Sequence, residues 1–137
     1  MKPELAGPWV LDTDVCVEWL RRRKGVGERL RALSPADVAI TTMTEAELRY
    51  GALLSRDPAG NLEQVESILE SGVALLPFDR PAAAHFGELR LALRNKPISD
   101  RDLVIASIAR SAGYVVATGN VREFERVPGL SVDRWIR

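Results

Sequence analysis

Three acids stand where side chains could do chemistry: Asp12, Glu47 and Asp102. Asp12 closes the apolar run Trp9-Val10-Leu11 and precedes Thr13-Asp14-Val15, where an amphipathic segment begins, so it reads as the acid at the end of a buried strand. At the carboxyl end of a parallel strand such an acid faces the ligand crevice. Glu47 and Asp102 fall near the onset of two later helices. Carboxylates gathered at one sheet edge repel one another, which raises their pKa values and costs stability, and a divalent cation removes that cost. Hard oxygen donors without His or Cys favour Mg²⁺ or Mn²⁺ over Zn²⁺, and such ions activate water and neutralise phosphate oxygens.

Helix chemistry offers a competing account of two of these acids. Thr44-Glu45-Ala46-Glu47 has the form of a capping box with Thr44 as N-cap, and Asp102 holds the same third position after Ser99. Taken singly, either acid is accounted for by capping. Asp12 is not, because it precedes its helix and Thr13 or Asp14 already supplies a cap. Other reactive groups point nowhere specific. His85, the single His, lies inside a helix between Ala84 and Phe86 and reads as a packed or surface side chain, and one His excludes a two-histidine nuclease. Cys16, between Val15 and Val17, reads as a small buried hydrophobe. No glycine-rich loop of the Walker or dinucleotide kind is present.

The elements that must position the acids follow from periodicity and turn signals. Strands are predicted at Trp9–Leu11, Val38–Thr41, Val73–Leu76, Tyr114–Thr118 and Leu130–Val132, the last at a sheet edge. Helices are predicted after Asp12 until the basic run Arg21-Arg22-Arg23-Lys24, over Glu28–Leu33, and from Thr44 to about Ser55 with Leu48, Leu53 and Leu54 as apolar positions. Pro58-Ala59-Gly60 breaks the pattern, and Asn61 caps a helix that buries Leu62, Val65, Ile68 and Leu69. Asp79 caps a helix from about Pro81 to Arg94. The most apolar helix opens at Ser99 and is closed by Gly113, and Val121–Glu125 makes about one turn. The basic run reads as a solvated helix end, with a phosphate-tracking patch as the alternative. Strands alternating with helices require crossover connections and hence a parallel sheet covered on both faces, a three-layer α/β/α sandwich of about five strands.

Composition sets the outer bounds. With 137 residues and 46% hydrophobic side chains, residues 1–137 read as a single domain with a full core. The 19 basic and 19 acidic residues cancel, so nucleic acid must be held by local patches rather than by a global field. A lone Cys forms no internal disulfide, no apolar run is long enough for a membrane helix, and Met1–Pro8 lacks the apolar centre of a signal peptide, which places the expected site of action in the cytoplasm.

Four pieces taken together resemble a known family: Leu11-Asp12-Thr13; Thr44-x-x-Glu47-Leu48-x-Tyr50-Gly51; Pro97-Ile98-x-x-x-Asp102-x-x-Ile105-Ala106; and Asn120-x-Arg122-Glu123-Phe124-x-Arg126-Val127-Pro128-Gly129. In this order, from about Val10 to Trp135, the chain resembles the PIN-domain ribonucleases, in particular the VapC-like toxins of type II toxin–antitoxin pairs. The resemblance implies Asp12, Glu47 and Asp102 as the central metal ligands and catalytic acids. It leaves the fourth acidic place to Glu123 or Asn120, because Asn120 stands where many PIN domains carry Asp, and charge favours Glu123. Thr118 matches a hydroxyl that lines the site. Asp14 departs from the family's usual Asn and either joins the metal shell or caps the helix.

The implied activity is Mg²⁺- or Mn²⁺-dependent hydrolysis of RNA phosphodiester bonds. The implied partners are a cognate antitoxin, which silences the enzyme through a groove beside the site, and a second copy in a homodimer. The alternative is a catalytically inactive PIN-like scaffold that binds a protein or RNA. A receiver-like phosphoacceptor also has an acid cluster on a five-strand parallel sheet, but none of Lys2, Lys24 and Lys96 stands after its last strands as that chemistry requires.

Overall fold

The computed structural model describes residues 6–22 and 24–136. Five short strands, β1 (Trp9–Leu11), β2 (Val38–Thr41), β3 (Ala74–Leu76), β4 (Val115–Thr118) and β5 (Val132–Arg134), form one sheet in the order β3-β2-β1-β4-β5. Every adjacent pair is parallel. Among the described residues seven α-helices connect them: α1 (Thr13–Leu20), α2 (Lys24–Arg31), α3 (Thr42–Leu54), α4 (Pro58–Leu69), α5 (Arg80–Ala92), α6 (Asp100–Ala112) and α7 (Val121–Phe124). This is the expected three-layer arrangement.

Alternation along the buried strands divides the core in two. Leu11, Val38, Ile40 and Ala117 face α1 to α4, packing with Val15, Cys16, Val26, Leu48, Val65 and Ile68. Val10, Ala39 and Val116 face the other way, onto Leu89, Leu103, Ile105, Ala106 and Phe124. Burying each large side chain stabilises the fold by about 1.5–3 kcal/mol before conformational entropy is charged against it. The same alternation, carried one residue past β1, sends Asp12 toward the side of Val10, and it sends Thr118 toward the side of Val116. Both therefore lean to the α6 layer, at the point where the sheet order turns back between β1 and β4.

Several elements depart from the sequence expectations, each for a packing or capping reason. Val26 is 1% exposed, and its burial in the core begins α2 at Lys24 rather than Glu28. Arg23 of the basic run lies outside the described residues. Asp57 accepts from the Gly60 N–H, so α4 starts at Pro58 and not at Asn61: the proline takes the first helical position, where its missing N–H costs nothing. β5 runs over Val132–Arg134 because its register pairs Val116 with Val132 and Thr118 with Arg134. Leu53 and Leu54 are 61% and 68% exposed, against the expectation that they pack inward; with Tyr50 they form an apolar outer stripe on α3. Gly113, at φ +79, closes α6 in the left-handed conformation and delivers the chain into β4.

Candidate active site

Asp12 is the N-cap of α1. Its Oδ1 accepts from the Thr13 N–H at 2.8 Å, so the residue expected to be left free of capping performs it. Its second oxygen, Oδ2, accepts from the buried Thr118 hydroxyl at 2.7 Å. That hydroxyl also accepts from the Asn120 N–H at 2.9 Å. The strand ends of β1 and β4 are thereby tied across the switch point through one carboxylate.

Asn120 carries the network onward. Its side-chain amide donates to Asp102 Oδ2 at 3.4 Å and to Glu123 Oε2 at 2.8 Å. It therefore orients Asp102 and Glu123. On α6, Ser99 is the N-cap and accepts from the Asp102 N–H at 3.2 Å, but the reciprocal capping contact is made from elsewhere: the Ser99 N–H donates to Glu123 Oε1 at 3.2 Å. Asp102 is thus released from the capping role that its position suggested. Glu47 is released too, because the N-cap of α3 is Thr41, whose hydroxyl accepts from the Thr44 N–H, and this places Glu47 in the second turn.

Asp14 belongs to the same cluster. Its Oδ2 accepts from the Gly119 N–H at 3.0 Å. A Cβ at Gly119 would lie 2.9 Å from that oxygen and 2.6 Å from Ile136, so the close approach requires glycine. Asp14 Oδ1 is buried with no hydrogen-bond partner among the described residues.

The electrostatics follow from this crowding. Burial first, and then the Asp14 charge, raise the Asp12 pKa from 3.8 to about 6. Burial, followed by contact with Glu123 and the charge of Asp12, raises Asp102 to about 7. Asp14 is raised by burial, while Glu123 is held below the usual carboxylate range by its contact with Asp102.

Glu47 stands apart from this tight group. Arg101 Nη1 donates to Glu47 Oε2 at 3.2 Å across the gap between α6 and α3. Among the described residues no three acidic, His or Cys side chains form a ready coordination set. The donors nonetheless fit a hard divalent cation. They are all oxygen, and three are raised carboxylates, one with an orphaned buried oxygen. Among the described residues no ion pair to Arg or Lys relieves Asp12, Asp14 or Asp102.

Sequence reasoning missed Arg101 and a set of threonine hydroxyls. Thr13 and Thr44 lie 3.1 Å apart, with Thr41 behind them, and tie the starts of α1 and α3 together. The Thr at the end of both β2 and β4 was the available signal. Arg101 had none, since nothing in its neighbourhood of the sequence names a partner on α3. His85 accepts from Arg110 Nε at 2.8 Å and serves the packing of α5 on α6, away from the acids. Cys16 is fully buried, and burial raises its thiol pKa, which leaves it unreactive.

The PIN domain family model matches residues 9–130. The chain is 38% identical over 130 residues to the tRNA(fMet)-specific endonuclease VapC of Shigella flexneri, covering 93% of this chain and 97% of that protein. It is 34% identical over 135 residues to Ribonuclease VapC2 of Haemophilus influenzae, covering 93% and 98%. Among solved structures it is similar to the DNA-bound VapBC of Salmonella typhimurium, with a TM-score of 0.87 and 36% identity over 96% of this chain and all of that one. It also superposes on VapBC2 of Rickettsia felis bound to promoter DNA, with a TM-score of 0.86 and 29% identity over 93% of this chain and 98% of that one.

Proposed function

The chain belongs to the PIN-domain family, and from that membership we propose that it is a Mg²⁺- or Mn²⁺-dependent endoribonuclease acting as the toxin of a toxin–antitoxin pair. The observation that carries this reading is the continuous network from Asp12 through Thr118 and Asn120 to Asp102 and Glu123, built where the sheet order reverses.

Asp12, Asp102 and Glu123 would hold the cation, Asp14 offers a further oxygen, and Glu47 adds its carboxylate once Arg101 lets go. A divalent ion bound there supplies positive charge to the phosphate oxygens and eases deprotonation of water. The chain's own groups do the positioning. Thr118 fixes the Asp12 carboxylate by donating to it, and Asn120 holds Asp102 and Glu123 in one orientation. The raised pKa values of Asp12 and Asp102 mean that loading the site displaces protons, so cation affinity rises with pH between about 5 and 8.

The partners follow the same reading. A groove of about 300 Å³ lined by Thr13, Val17, Arg21, Glu47, Asn61 and Gln64 opens beside the site and suits an antitoxin segment. The apolar stripe of Tyr50, Leu53 and Leu54 suits a second copy in a homodimer. Among the described residues no helix is long and apolar enough to cross a membrane, and we place the chain in the cytoplasm with its RNA substrate.

The test is cleavage of cellular RNA by the purified chain in Mg²⁺ or Mn²⁺ against EDTA, with Asp102→Asn as control. Metal-stimulated cleavage lost in Asp102→Asn is the expected result. No cleavage with either ion, alongside normal binding of a protein or RNA partner, establishes the inactive scaffold instead.

A further inference from the structure

Arg101 occupies an unfavourable place by helix chemistry alone. It is the second residue of α6, where the helix dipole disfavours a cation, and it is flanked by Asp100 and Asp102. Its guanidinium nonetheless bypasses the adjacent Asp102 and reaches across to Glu47 on α3, with an Nη1 to Oε2 distance of 3.2 Å. Asp100 has a separate cation, Arg90, at 3.7 Å. The effect is that Glu47 is neutralised while the buried carboxylates Asp12, Asp14 and Asp102 are not. The Arg101 side chain is 52% exposed and the Glu47 side chain 28%, so the pair lies at the mouth of the site, is weak, and can exchange partners.

We propose that Arg101 is the resident counter-cation of Glu47 and competes with the divalent ion for it. Once the ion takes the carboxylate, the released guanidinium turns onto a phosphate of the bound RNA. The inference rests on the nuclease reading above. It makes Arg101 a positioning residue with two successive partners, and the planar fork of its guanidinium suits both carboxylate and phosphate.

The experiment measures two affinities on the full chain. The first is for Mn²⁺, by calorimetric titration of the wild type, Arg101→Gln, Glu47→Gln and the double variant. Arg101→Gln should bind Mn²⁺ about two- to fivefold more tightly, the range an exposed ion pair supports, and this gain should vanish in the Glu47→Gln background. The second is for a short fluorescent 2′-O-methyl oligoribonucleotide, by anisotropy. With saturating Mn²⁺, Arg101→Gln should bind it roughly tenfold more weakly, with the slope of log affinity against log salt reduced by about 0.7. Without Mn²⁺ the loss should shrink to about two- to fivefold, because Glu47 competes for the guanidinium. Arg101→Lys should restore the salt slope and only part of the affinity.

Unchanged Mn²⁺ affinity in Arg101→Gln, a gain that persists without Glu47, or an equal loss of oligonucleotide binding with and without Mn²⁺ would each overturn the proposal while the nuclease reading stands. A wild-type chain that binds no Mn²⁺, or binds it equally well as Asp102→Asn, overturns both.

Discussion

Replacing Asp12 with Asn should stabilise the cation-free protein more at pH 8 than at pH 5. Asp12 is 6% exposed, and its pKa rises from 3.8 to about 6, first from burial and then from Asp14. At about 1.4 kcal/mol per pH unit, keeping it ionised in the folded state costs about 3 kcal/mol. An acid whose pKa is raised by folding binds its proton more readily in the native state. Stability therefore falls as pH rises from about 4 to about 6, and above that window the full cost applies.

Asn removes the charge but keeps an oxygen for the Thr13 N–H. It loses the acceptor for the Thr118 hydroxyl; the charge-assisted part of that bond is already contained in the pKa of about 6, so the further loss is that of a neutral hydrogen bond, about 0.5–1.5 kcal/mol. Relief of Asp102, which the Asp12 charge also burdens, adds to the gain. The balance is about 2 kcal/mol in favour of Asp12→Asn, or roughly 3–8 °C in melting temperature for a chain of this size. Thermal melts in EDTA at pH 8 and pH 5 measure it, and cleavage by the same preparation should be abolished. A drop in melting temperature at pH 8, or an equal gain at both pH values, refutes the charge-crowding argument.

Other outcomes follow from the same contacts. Glu123→Gln should raise the Mn²⁺ concentration for half-maximal cleavage more than Asn120→Ala does, since Glu123 supplies charge where Asn120 supplies orientation; the reverse order in a Mn²⁺ titration exchanges their roles. Thr118→Val keeps the buried shape but strands the Asn120 N–H and removes a donor to Asp12, so urea unfolding should show a loss of about 1–3 kcal/mol that Thr118→Ser largely recovers. Leu54→Glu, at a position 68% exposed, should leave the melting temperature of the monomer within about 2 °C while converting a dimer to monomer in light scattering; an unchanged mass removes α3 from the interface.

Local sequence determined a great deal, because much of this fold is specified by period and by strand ends. Val10-Leu11, Ala39-Ile40 and Val116-Ala117 are apolar on successive residues, which marks strands covered on both faces and hence a parallel sheet. Asp12 follows β1 directly, so a strand end already predicts an acid in the crevice. Boundaries slipped where a distant contact decided them: Val26 in the core drew α2 forward, and pairing with β4 fixed β5 over Val132–Arg134. Capping slipped for a related reason. Ser99 with Asp102, or Thr44 with Glu47, looks like a local box, but Glu123 takes the Ser99 N–H and Thr41 caps α3. What only tertiary structure decided is the wiring among the acids. Asn120 bridging Asp102 to Glu123, Thr118 reaching Asp12 across 106 positions, and Arg101 reaching Glu47 across 54 join groups on different elements. No periodicity encodes such wiring, because its long-range pair, Asp12 with Thr118, exists only once the strand order has turned back between β1 and β4 and brought the two halves of the chain edge to edge.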